Sequence, residues 1–97
     1  MRKVYLVCYD VADERRLRRT YKTMLGFGDP LQYSVFRCEL TVQERQLLKE
    51  ALWAILNWNE DRVMLVDLGP ARNRGRRCIR FWGTPRVEKP ARQAVIV

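Results

Sequence analysis

Two strand-like stretches of this chain, residues 4–9 and 63–66, are apolar on both alternations of an extended backbone. Such strands must be covered on both faces. Only two amphipathic segments are at hand to cover them. In the first, Leu17, Tyr21, Met24 and Leu25 make a stripe at helical spacing behind Asp13, a good N-cap. The second opens on the capping box Thr41-Val42-Gln43-Glu44 and carries Leu48, Ala51, Leu52 and Ile55. Two helices cover one face of a small sheet and no more. In a chain of 97 residues, enough for one core, nothing remains for the second face. A second copy, sheet against sheet about a twofold axis, is the expected solution.

The remaining signals fill in the order of elements. Gly26 and Gly28 end the first helix, and Asp29-Pro30 reads as a turn. Residues 31–40 are extended, either as one long strand or as two short ones meeting near Ser34. Residues 57–61 break the second helix, residues 63–68 form a strand, and Gly69-Pro70 close it. A basic loop over 72–77 leads to a short strand over 78–82. The order predicts an α+β fold, a ferredoxin-like βαββαβ sandwich. Residues 1–82 make that domain. Residues 83–97 are a Pro-bearing connector and an extra C-terminal strand, 94–97, suited to an edge of the dimer or of a partner.

What is missing narrows the chemistry. With no histidine, mechanisms and metal sites that need imidazole are excluded. Cys8, Cys38 and Cys78 lack the paired spacing of zinc sites and read as reduced thiols of a cytoplasmic protein. No stretch approaches the roughly 18 apolar residues of a membrane span, so no membrane partner is expected. Carboxylates, hydroxyls or a hard metal ion must carry any reaction.

Charge points to the partner. Lys and Arg number 19 against 11 Asp and Glu, a formal net charge of +8. Ten of the 19 fall in two clusters. Arg15, Arg16, Arg18, Arg19 and Lys22 lie on the first helix, opposite Leu17 and Tyr21. Arg72, Arg74, Arg76, Arg77 and Arg80 lie in or just beyond the basic loop. Focused positive charge without a base-reading motif predicts contact with a phosphate backbone. Asp10, which closes the first strand just ahead of the basic helix, is the candidate catalytic residue and metal ligand. Two copies of it brought together across a dimer would repel, and a hard cation such as Mg²⁺ would relieve them. Tyr9 and Ser34 are candidate supporting hydroxyls, and Phe36 a candidate ring for base stacking. Trp53, Trp58 and Trp82 read as packing or interface residues.

Three motifs also resemble a known family. Tyr9-Asp10-Val11 at the end of the first strand, the helix start Asp13-Glu14-Arg15-Arg16, and Gln32-Tyr33-Ser34-Val35-Phe36 are similar to the second CRISPR-associated protein family. That family is the small endoribonuclease of the spacer-adaptation pair, and the likeness spans about residues 1–82. It implies a homodimer of ferredoxin-like domains, with a C-terminal strand often passed to the neighbouring protomer. It also implies that Asp10 is a Mg²⁺ ligand paired across the dimer, acting in hydrolysis of single-stranded RNA or double-stranded DNA in antiviral defence. Members also bridge dimers of the CRISPR integrase on DNA, a scaffold role in which the nuclease site is dispensable. Two positions depart from the family pattern: Pro30 stands near a position that is often basic, and Leu17 interrupts the arginine run. Both bear on substrate choice.

Overall fold

A computed structural model of the chain describes residues 1–72 and 78–84. The elements run β1 (Lys3–Asp10), α1 (Glu14–Leu25), β2 (Asp29–Gln32), β3 (Val35–Leu40), α2 (Val42–Ile55) and β4 (Arg62–Pro70). The strands form one antiparallel sheet in the order β2-β3-β1-β4. This is the ferredoxin-like βαββαβ arrangement that the sequence pattern predicts. The extra C-terminal strand, residues 94–97, lies outside the described residues.

Local chemistry sets each boundary. The Asp13 carboxylate accepts from the Arg16 amide at 3.0 Å and starts α1. The capping box is complete: Thr41 Oγ1 accepts from the Glu44 amide, and Glu44 Oε1 accepts from the Thr41 amide. The extended run over 31–40 is two strands, broken by a turn at Tyr33 and Ser34. Asp29-Pro30 begins β2 rather than turning the chain. Proline is tolerated there because β2 is at the sheet edge, where a missing amide N–H removes no ladder bond on the open side. The expected strand over 78–82 does not form: those residues take no place in the four-stranded sheet of the described residues, and strand-forming side chains make no strand without ladder hydrogen bonds. Among the described residues, no helix is long and apolar enough to cross a membrane.

Both helices lie on one face, as expected. Tyr5, Val7 and Tyr9 of β1, with Phe36, Cys38 and Leu40 of β3, meet Met24 of α1 and Leu48 and Leu52 of α2. The α1 stripe is shifted from the sequence reading: Thr20 is fully buried, while Leu25 is 38% exposed. Arg45 donates to Tyr5 Oη at 2.9 Å and ties α2 to β1. Gly28 sits where the chain leaves α1 and passes β3. A Cβ there would lie 2.4 Å from the Arg37 carbonyl oxygen and 2.5 Å from Cys38 Sγ. Gly28→Ala is therefore expected to cost about 2–3 kcal/mol through a forced backbone shift, measured as a lower urea midpoint.

The opposite face is left open. Register pairs Cys8 with Val35 and Met64, and Leu6 with Arg37 and Val66, so these side chains share it. Met64 is 57% exposed and the others are part-covered, whereas Val4 of the same alternation is buried. The two-sided apolar pattern of β1 is thus half used within one chain.

Candidate nucleic-acid and metal site

Asp10 is the last residue of β1 and shares the open face with Leu6 and Cys8. Its cross-strand neighbour is Arg62, whose Nε lies 3.9 Å from Asp10 Oδ2. Both side chains are about four-fifths exposed, so the pair is weak and the carboxylate stays available. Among the described residues, no three His, Cys, Asp or Glu side chains gather as a metal site. Asp10 is therefore, among the described residues, not part of a three-ligand cluster for a hard cation. Mg²⁺ keeps several waters and takes one or two carboxylates together with substrate oxygens. The chemistry of the Asp10 carboxylate, an exposed hard oxygen donor, fits such an ion.

Behind Asp10, the chain is held by a carboxylate that the sequence reading passed over. Asp61 precedes β4 and its side chain is fully buried. It accepts hydrogen bonds from the Ala12 amide (2.9 Å), the Asn57 amide (2.9 Å), Arg16 Nε (2.8 Å) and Arg16 Nη2 (3.2 Å). One side chain thus joins the β1–α1 loop, the first turn of α1 and the α2–β4 turn. Arg16 foremost, then the two amides, hold this carboxyl down at about 2, against the opposing effect of burial. Arg16 also reaches Glu60 at 2.9 Å.

This corrects the picture of α1. Arg15, Arg18, Arg19 and Lys22 are exposed, but Arg16 is turned inward and spent on Asp61 and Glu60. Its guanidinium binds the fold together and is not presented to a phosphate. Arg72 and Arg80 are exposed, while Arg74, Arg76 and Arg77 lie outside the described residues. Asp67, the other acid ending an apolar run, accepts from the Gly69 amide and from Lys3.

Phe36 also departs from expectation. It is fully buried, between Tyr9 (ring centroids 6.2 Å apart) and Tyr21 (5.4 Å), so it cannot stack on a base. The Tyr9 ring belongs to the same core, and its amide donates to the Ser34 carbonyl at 3.1 Å, tying the β2–β3 turn to β1. Ser34 is half-buried. The exposed ring is its neighbour Tyr33, 72% accessible at that turn. Alternation separates the two rings: Phe36 falls in step with the buried Cys38 and Leu40, and Tyr33 with Arg37 and Glu39. Trp53 and Trp58 pair at 4.1 Å with Lys49 over Trp53, and Trp82 is almost wholly exposed.

Comparison with known proteins agrees with this architecture. Residues 2–75 match the family described as CRISPR associated protein Cas2. The CRISPR-associated endoribonuclease Cas2 of Geobacter sulfurreducens is 47% identical over 73 residues, which cover 75% of this chain and 77% of that protein. Crystalline Cas2 of Streptococcus pyogenes at pH 6.5 superposes with a TM-score of 0.70 and 33% identity, over 82% of this chain and 99% of that one. A hypothetical protein of Thermus thermophilus shares the fold, with a TM-score of 0.76 at 20% identity, over 90% of this chain and 98% of its own.

Proposed function

Because this chain belongs to the CRISPR-associated Cas2 family, we propose that it is a metal-dependent endonuclease of CRISPR spacer adaptation, working as a homodimer in antiviral defence. One observation carries the reading: Asp10 stands exposed on the apolar open face, at the end of the strand that leads into the basic face of α1. Pairing two open faces would cover Leu6, Cys8, Val35, Met64 and Val66 and bring two Asp10 carboxylates to one rim. Asp10 of both protomers would hold Mg²⁺, which when bound activates water for attack on a phosphodiester. Arg15, Arg18, Arg19 and Lys22 draw in and orient the backbone. Tyr9 and Ser34 shape the rim through the bond that ties the β2–β3 turn to β1.

A second reading is a scaffold that grips duplex DNA and bridges the CRISPR integrase, with the segment after residue 82 as its docking element. Its support is the ratio of groups at the rim: four exposed cations on α1, but no cluster of acids among the described residues. Multi-carboxylate sites are the commoner way to hold catalytic Mg²⁺.

One experiment separates the two. Wild type and Asp10→Asn are incubated with labelled single-stranded RNA and duplex DNA, with Mg²⁺ and with chelator, and binding is recorded beside cleavage. The expected result is cleavage that needs both Mg²⁺ and Asp10, with binding of Asp10→Asn unchanged. Duplex binding without cleavage in either protein assigns the scaffold role instead.

A further inference from the structure

On the helix face of the sheet, at the same end of β1 as Asp10, a cleft of about 370 Å³ opens between α1 and the β2–β3 turn. Tyr9, Leu17, Tyr21 and Tyr33 make its apolar walls, and Arg18 and Lys22 stand at its edge. Among the described residues, no carboxylate lines it. We infer that this cleft seats one unstacked nucleobase of a single strand, with the adjoining phosphate held by Arg18 and Lys22. The inference rests on the nucleic-acid reading above and names the form of the substrate: single-stranded, engaged base by base.

Three features match that occupant. The inner rings are immobilised: Tyr9 lies against Phe36 at an interplanar angle of 30°, and Tyr21 meets Phe36 edge-on at 67°. Such a wall is fixed before any ligand arrives, so little order is lost on binding. Tyr33 stands outermost and 72% exposed, on a turn anchored by the Tyr9–Ser34 backbone bond. An aromatic ring kept in water on an anchored turn is suited to stacking. The cations then decide which planar ligand fits. An apolar peptide side chain has no use for two positive charges at the edge, whereas a nucleotide brings one anion with every base. A base within a duplex is already stacked on both sides and cannot enter. Tyr9 and Asp10 are consecutive on β1, so the cleft and the carboxylate stand at the same end of the strand but on opposite faces of the sheet.

The test measures affinity for a fluorescently labelled single-stranded RNA of mixed sequence and for the blunt duplex of the same sequence. Tyr33→Ala is expected to weaken the single strand roughly tenfold, the size of effect that loss of one stacked base produces, and to leave the duplex unchanged. Tyr33→Trp, which keeps a stacking face, should preserve single-strand binding. Arg18→Ala should weaken both forms, because its contact is with phosphate. Equal loss on both forms in Tyr33→Ala, or no loss on either, overturns the seat. Cleavage by wild type is scored separately. Cleavage that persists while Tyr33→Ala binds normally removes the seat and keeps the nuclease. Selective loss of single-strand binding in a protein that never cleaves keeps the seat and removes the nuclease.

Discussion

Asp61→Ala is expected to lower the unfolding free energy by about 3 kcal/mol, near the bottom of the range for breaking a buried ion pair. The lower end is chosen because Arg16 keeps Glu60 and one-fifth of its side chain is in water. The variant also strips the Ala12 and Asn57 amides of their acceptor. Both bonds are part-buried, so losing their acceptor adds to the cost. Against a total of about 5–15 kcal/mol for a small domain, one side chain would carry a large share. Urea unfolding measures this as a lower midpoint at unchanged slope; a loss below about 1 kcal/mol would mean the clamp is ornamental.

The same carboxyl gives the prediction its pH dependence. Its folded pKa, about 2, lies below the ordinary aspartate value of 3.8. In acid the unfolded chain therefore takes up the proton first. The contribution is complete above about pH 4 and fades as pH falls towards 2. Asp61→Asn, which cannot titrate, should be less stable than wild type at pH 7, with a smaller further loss on acidification. A parallel acid slope in the two proteins would show that another group controls it.

What could be read from the sequence was local, and what could not was distant. Thr41 and Glu44 are three residues apart, so their capping box is visible in the chain and forms as expected. The apolar strands announce themselves in the same way, as do Asp13 and the α2 stripe. Arg16 and Asp61 are 45 residues apart. Nothing local separates Arg16 from Arg15 or Arg18, and Asp61 looks like one more polar residue of a helix-ending turn. Only the fold brings α1 and the α2–β4 turn together and removes Arg16 from the cationic face. Phe36 and Tyr33 are separable in the sequence, because Phe36 alternates in step with the apolar Cys38 and Leu40 and Tyr33 with the charged Arg37 and Glu39. The run over 78–82 has strand-forming residues but takes no place in the sheet of the described residues, and propensity alone does not make a ladder.

If the proposed sheet-to-sheet homodimer forms, Met64→Asp should turn it into a monomer while each chain keeps its fold. Met64 is 57% exposed in the single chain, so an aspartate there stays hydrated in the monomer and costs folding little. In a sheet-to-sheet dimer the same position lies among Cys8, Val66 and Leu6 of the open face, and the substitution enters twice. Each carboxylate would then be buried without a partner, at several kcal/mol apiece. That corresponds to a dissociation constant raised more than about a hundredfold. Sedimentation of wild type and variant at one concentration measures it directly. Leu47→Asp is the control, because Leu47 is equally exposed at 56% but lies on α2, on the helix side of the sheet. It should remain a dimer. The consequence for activity follows from having one Asp10 in each chain: monomeric Met64→Asp should lose Mg²⁺-dependent cleavage along with its dimer, as Asp10→Asn does. The two variants then differ in one respect. Asp10→Asn stays dimeric and keeps its affinity for nucleic acid, whereas Met64→Asp halves the cationic surface and should bind more weakly. A Met64→Asp protein that sediments as a dimer would mean the open face is covered by something other than a second copy, and the shared-metal reading of Asp10 would fall with it.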